Sequence, residues 1–209
     1  MTLVKAVEKR DLSLLKRELK VQGTIVGGSV ALLWALELVD TLTFHALDKL
    51  AIVPRTWAAL PRIPLAPFLH FGFGHLAVNT LPLAVLAWLI MVRKTSDLAP
   101  VAATTTLLGG LGVWLFGRTA HHAGASILIF GFLGYLLARG VFDRKLGSIA
   151  LSALVFGLYG GAIWGIFPQQ GHVSWEGHLF GFAAGVLSAW RISKRDALRA
   201  RVVPARLRA

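Results

Sequence analysis

The chain has 209 residues, of which 56% are hydrophobic, and a mean hydropathy of +0.66. Soluble domains are about 45–50% apolar, and the excess here lies in long uncharged runs, the pattern of a membrane protein. Cysteine is absent, which excludes disulfides and thiolate chemistry. The net charge of +12 would point to nucleic acid in a soluble chain, but the placement of the charges gives it another origin.

Met1 to Lys20 alternates charge with leucine, as in "VEKRDLSLLKRELK". It has no apolar core followed by a small-residue cleavage site, so it reads as a cytoplasmic amphipathic helix on the membrane surface. Six candidate spans follow, roughly Thr24–Phe44, Phe71–Val92, Leu98–Gly117, Gly124–Ala138, Gly147–Phe167 and Trp175–Trp190. With the N-terminus inside, inner segments hold six Lys+Arg before Thr24, two at Arg93 and Lys94, three at Arg139, Arg144 and Lys145, and seven from Arg191 onward. These make 18 of the 22 basic residues, and the outer loops keep only Lys49, Arg55, Arg62 and Arg118. This asymmetry follows the positive-inside rule and explains the basic chain without nucleic acid. The expected fold is an all-α membrane protein, a six-helix bundle with both termini cytoplasmic. Residues 1–22 form its basic N-terminal segment, 23–192 its membrane domain, and 193–209 a basic tail suited to anionic lipid.

Between the first two spans, His45 to His70 is apolar and aromatic but carries four prolines, so it cannot be one spanning helix. It is expected to lie partly in the interface and pack on the bundle. Glu37 and Asp40, at i,i+3 near the outer end of the first span, read either as a pair bonding this loop or as part of an ion path. The second span begins with His75 and Asn79 at i,i+4, on one face. They suit two roles, hydrogen-bond donors to a developing oxyanion or polar glue between helices. His70 and His122 read as structural or loop histidines.

The fourth and sixth spans are too short for both ends to reach the headgroups, so their N-termini must start below the outer surface, beside protein or a wet cavity. Ser126 opens the fourth and His178 the sixth. Alone, Ser126 fits a packing serine, and "GASIL" lacks the second glycine of the soluble Gly-x-Ser-x-Gly elbow. His178, Gly181 and Gly185 share one helical face, and Gly177, Gly181 and Gly185 form overlapping GxxxG units. Gly131 and Gly134 offer a matching surface on the fourth span, which would let His178 take the Ser126 proton. Phe130, one turn below Ser126, would stack on the imidazole. Glu176 cannot face His178 at i,i+2 and reads as a solvated loop carboxylate, so a Ser–His dyad is the simpler arrangement. There is no HExxH and the histidines are scattered, so neither a metal nor another cofactor is expected.

Together these residues resemble the rhomboid family of intramembrane serine proteases. The resemblance covers about Arg62 to Trp190, with "HFGFGHLAVN", "GASILIFGFLG" and "WEGHLFGFAAG" in family order on helices two, four and six. It implies Ser126 as nucleophile and His178 as base. It further implies His75, Asn79 and the Ser126 backbone N–H as oxyanion stabilisers, and Phe130 as the ring stacked on the histidine. It implies a multi-pass protein of the cell membrane acting on transmembrane protein substrates amid lipid. Two departures stand out. The family usually has Gly-x-Ser-Gly where Ile127 follows the serine here, and often Trp-Arg where this loop has Pro61-Arg62. Ile127 favours the alternative of an inactive rhomboid-like protein that binds membrane clients. A transporter using Glu37 and Asp40 is a third reading.

Overall fold

The computed structural model describes residues 2–169, 171 and 173–202, with side chains from 12 to 200. Among the described residues seven α-helices run in order: α1 Thr2–Leu42, α2 Phe73–Lys94, α3 Leu98–Thr104, α4 Gly110–Phe116, α5 Ser126–Asp143, α6 Leu146–Tyr159 and α7 Trp175–Val202. A π-helical turn, Thr105–Gly109, joins α3 to α4, and a 3₁₀ segment, Gly160–Ile166, extends α6. Among the described residues there is no strand, only an isolated antiparallel bridge between Ile52 and His122.

Four stretches are long and apolar enough to cross a membrane: Leu12–Leu42, Phe73–Phe116, Ser126–Asp143 and Leu146–Ile166. The second contains two legs, because Lys94 is extended (φ −165°, ψ 110°) and breaks the helical path before Thr95–Asp97. α7 is not among the four. Its first turns carry polar groups that it buries in the bundle, Glu176 and His178, with Ser188 further along. α1 runs from the expected N-terminal segment into the first span, passing residues 22 and 23 without a break. Of the expected tail, 193–202 continue α7, and 203–209, with Arg206 and Arg208, lie outside the described residues.

α1 ends where the chain adopts left-handed backbone at Phe44 and His45 (φ 54° and 60°). The His45 N–H returns to the Asp40 carbonyl at 2.8 Å and the Phe44 N–H to the Thr41 carbonyl at 3.3 Å, the pairing of a Schellman stop. The following loop folds into three 3₁₀ segments, Leu47–Leu50, Trp57–Arg62 and Ala66–Phe68. As its composition required, it packs on the bundle. Ile52, Ala59, Ile63 and Ala66 form a second core with Val113 and Trp114 of α4, and the Trp114 indole N–H donates to the Thr56 carbonyl at 2.9 Å.

α5 is the centre of the molecule: 61% of its span is buried, against 17% for α1 and 6% for the α6 stretch. Helices that expose apolar side chains in this way match a lipid-surrounded bundle. α7 lies against α5 with backbone touching backbone. A Cβ on Gly185 would sit 1.9 Å from the Gly131 carbonyl oxygen, and one on Gly181 2.4 Å from that of Ile127. A Cβ on Gly134 would meet the Phe182 carbonyl oxygen at 2.4 Å. Gly177 does not join this contact, because its nearest neighbour is Ser174 of its own turn. At the opposite end from Ser126, ion pairs tie α2, α5 and α7. Asp143 pairs with Arg93 and with Arg139 (3.1 Å), Arg139 with Asp196 (3.1 Å), and Arg195 with Asp97 (3.1 Å). Arg139, counted above as a loop cation, is thus a buried helix residue.

Gly185→Ala places a methyl group on a carbonyl that cannot move without shifting α5. It is expected to cost about 1–3 kcal/mol or more of stability. Gly147→Ala, where nothing lies within 4 Å, is the control. Denaturant titration of both variants in detergent checks this, with Gly147→Ala expected at wild-type stability or slightly above.

Candidate active site

Ser126 is the first residue of α5, and Ala125 before it provides no side-chain cap. The first N–H groups of a helix have no intrahelical acceptor, so the Ser126 amide is free for an incoming group. The amides just upstream are already engaged. Gly124 N–H donates to the Ala66 carbonyl at 2.9 Å, and Ala125 N–H to His70 Nε2 at 3.1 Å. Gly124 has φ +125°, and a Cβ there would lie 2.8 Å from His75 Cε1. Both constraints call for glycine, and the close approach sets the turn before Ser126 against His75.

His178 enters from the first turns of α7, 9% exposed. Its Nδ1–H donates to the Gly165 carbonyl at 3.0 Å, which assigns the tautomer and leaves Nε2 as an acceptor. The ring stacks on Phe130 with centroids 3.9 Å apart and planes within 7°. Gly165 permits this, since a Cβ there would lie 2.8 Å from Phe130 Cζ. The imidazole is therefore oriented by a carbonyl and an aromatic face, with no carboxylate bonded to it among the described residues.

From α2, His75 Nδ1 accepts the Phe71 N–H at 3.4 Å, so Nε2 carries the ring proton. Asn79 donates one amide hydrogen to the His75 carbonyl at 3.0 Å and keeps the other. Ser126, His178, His75 and Asn79 all line one cavity, together with His121 and Ser174. The five site residues expected from sequence are thus brought together from three helices. Ser126 Oγ has no hydrogen-bond partner among the described residues.

Ile127 does not line this cavity. It is 6% exposed, with its Cδ1 close to Gly109 and its carbonyl close to Gly181. Its Cδ1 reaches the junction of the π turn, α5 and α7, and Ile127 lines with Ser126, Ala123 and Ser174 a smaller pocket beside the cavity.

One expectation is corrected. Glu176 is not solvated: it is 2% exposed, its Oε1 accepts the Arg118 N–H at 3.1 Å, and it lies 3.7 Å from Arg118 Nε. It ties the loop after α4 to α7. His122 takes the structural one of its two expected places: it is buried, its Nδ1 meets Ser174 Oγ at 2.7 Å and its Nε2 the Arg118 carbonyl at 3.0 Å. Sequence reasoning missed the specific parts of His70, Gly124 and Gly165. For His70 the only local sign was its place five residues before His75.

Burial pushes the His70 imidazole down to about 4, and the neighbouring His75 adds to this. An unfolded His70 takes a proton near pH 6.5, which the folded site refuses until about pH 4. Stability tied to neutral His70 is therefore complete above pH 6.5 and is lost as pH falls toward 4. In detergent, wild-type thermal stability should fall between pH 7 and pH 4.5. His70→Gln should start lower at pH 7 and fall less over the same interval. An equal fall in both proteins would contradict this role.

Comparison with known proteins agrees with the geometry. The family model described as Rhomboid domain matches residues 58–195, which contain every residue of the site. An uncharacterized protein of Mycobacterium tuberculosis is 41% identical over 182 residues, covering 83% of this chain and 76% of its own. An uncharacterized protein of Mycobacterium bovis shows the same identity and coverage, and one of Mycobacterium leprae is 38% identical, with 83% and 72% covered. The family-model match over residues 58–195 shows that this chain belongs to the rhomboid family.

Proposed function

We propose that the protein is an intramembrane serine endopeptidase that cleaves transmembrane protein substrates near the outer membrane face with a Ser126–His178 dyad. The family is generally one of serine intramembrane proteases and also has inactive members. The observation that carries the active reading is that Ser126, His178, His75 and Asn79 share one cavity while the side chain of Ile127 lies outside it.

In this mechanism Ser126 Oγ attacks the scissile carbonyl carbon and its proton passes to His178 Nε2. The developing oxyanion takes hydrogen bonds from the Ser126 N–H, His75 Nε2–H and the free Asn79 amide hydrogen. As the C–N bond breaks, His178 returns the proton to the leaving amine. Water entering the cavity then attacks the acyl-enzyme, with His178 as base, and Ser126 is regenerated. A helical substrate hides its peptide bonds, so the segment cut must unwind, which favours small or helix-breaking residues there.

The proposed frame is six spans with both termini in the cytoplasm of a cell-membrane protein, divided at 22/23 and 192/193. The charge asymmetry supports it, and so does the break at Lys94, which makes two spans of Phe73–Phe116. Ser126, at the far end of α5 from the Arg139 cluster, then faces the outer side.

Reconstituted protein should cleave a transmembrane model substrate, and Ser126→Ala and His178→Ala should each abolish cleavage. Asn79→Ala should lower turnover by about 10²–10³-fold, the usual effect of removing one oxyanion donor. Cleavage that survives Ser126→Ala would eliminate the mechanism; folded wild type that binds such substrates without cutting them would favour the client-binding alternative.

A further inference from the structure

The sequence offers no metal-binding motif, but the stop of α1 builds a donor cluster. Phe44 and His45 turn the chain back, so that His45 Nδ1 lies 3.0 Å from Asp40 Oδ2 and 3.6 Å from Asp48 Oδ2. One donor atom from each of the three residues lies within 4.8 Å of the other two. Ligands on a tetrahedral ion with bonds of about 2.0–2.1 Å sit about 3.3 Å apart, a spacing these distances bracket. Asp40 Oδ1 is already held by the Leu47 N–H at 2.7 Å, which fixes the carboxylate and leaves Oδ2 toward the cluster.

An ion pair with His45 alone does not account for the rest of this corner. Glu37, one turn before Asp40, lines the same small cavity as Asp40 and Asp48. It is 2% exposed, and its Oε1 is buried without a hydrogen-bond partner. Asp48 Oδ1 is likewise buried and unpartnered. No Lys or Arg pairs with these three carboxyl groups among the described residues, so what offsets the cost of burying them is either a proton or a bound cation. His70 also lines this cavity, with Nδ1 buried and unpartnered, while its Nε2 accepts the Ala125 N–H beside the nucleophile.

We propose that Asp40, His45 and Asp48 bind one divalent transition ion at the loop end of α1, with the buried Glu37 carboxyl beside it as an outer-shell partner. Two carboxylates and an imidazole suit Zn²⁺ or Mn²⁺ better than Ca²⁺ or Mg²⁺. The site is distinct from the Ser126 cavity and is joined to it through His70, so an occupied site would brace the loop that carries Ser126.

The test uses full-length protein without an affinity tag, carrying Ser126→Ala, stripped with a chelator in detergent and titrated with ZnCl₂ by calorimetry. One equivalent should bind. Asp48→Asn should weaken that binding at least a hundredfold and Glu37→Gln about tenfold, the usual loss for an outer-shell partner. Both substitutions keep side-chain shape, and a thermal melt confirms folding. Absence of saturable binding to the parent protein, or equal affinity in all three proteins, overturns the site and leaves His45 as an ion pair only. Binding is read without substrate, so the result stands whether or not the protein cleaves peptides.

Discussion

The site depends on one close contact, that of α7 against α5 through bare glycine backbone. Gly185 rests on the Gly131 carbonyl and Gly181 on that of Ile127, at spacings that leave no room for a β-carbon. Within a bundle surrounded by lipid, the hydrophobic effect does little to press one helix on another, and close van der Waals approach takes its place. The contact brings His178 onto the face of Phe130 and toward the cavity where Ser126 begins α5. A separation larger by one methyl group would move His178 away from Ser126.

A second layer of constraint surrounds the turn before Ser126. Ala66 and His70 hold the Gly124 and Ala125 amides, and Gly124 admits the His75 ring. The Ser126 N–H, at the start of α5, has no intrahelical acceptor. The orientation of His178 comes from the Gly165 carbonyl and Phe130, so the imidazole is positioned without an acidic third residue. Neutral partners suit a site at membrane depth, where a further buried charge would be costly.

What could be read from sequence was local and periodic. The i,i+3,i+7 face of His178, Gly181 and Gly185, the i,i+4 pair His75 and Asn79, and Phe130 one turn below Ser126 all follow from 3.6 residues per turn. Four prolines marked the packed loop, but the fourth and sixth helices are longer than the spans read from sequence, 18 and 28 residues, so their length does not show recessed starts. What was not legible arises from contacts between segments far apart in the chain. Glu176 reads as a loop carboxylate until Arg118 is seen to approach from 58 residues away. His70 acquires its partner from a loop 55 residues on. The return of His45 to Asp40 depends on left-handed backbone at two non-glycine residues, which no composition rule predicts. The bulk of Ile127 could be assessed only once the π turn at Thr105–Gly109 placed Gly109 beside it.

The central claim is that Ser126 is an activated nucleophile rather than a packing serine. A fluorophosphonate probe applied to the folded protein, followed by peptide mass spectrometry, tests this without any knowledge of substrate. The account predicts a phosphonyl adduct on Ser126 in wild type that is lost in His178→Ala while Gly147→Ala still labels. A folded wild-type protein that acquires no adduct at Ser126, or labelling that is unchanged in His178→Ala, would contradict it.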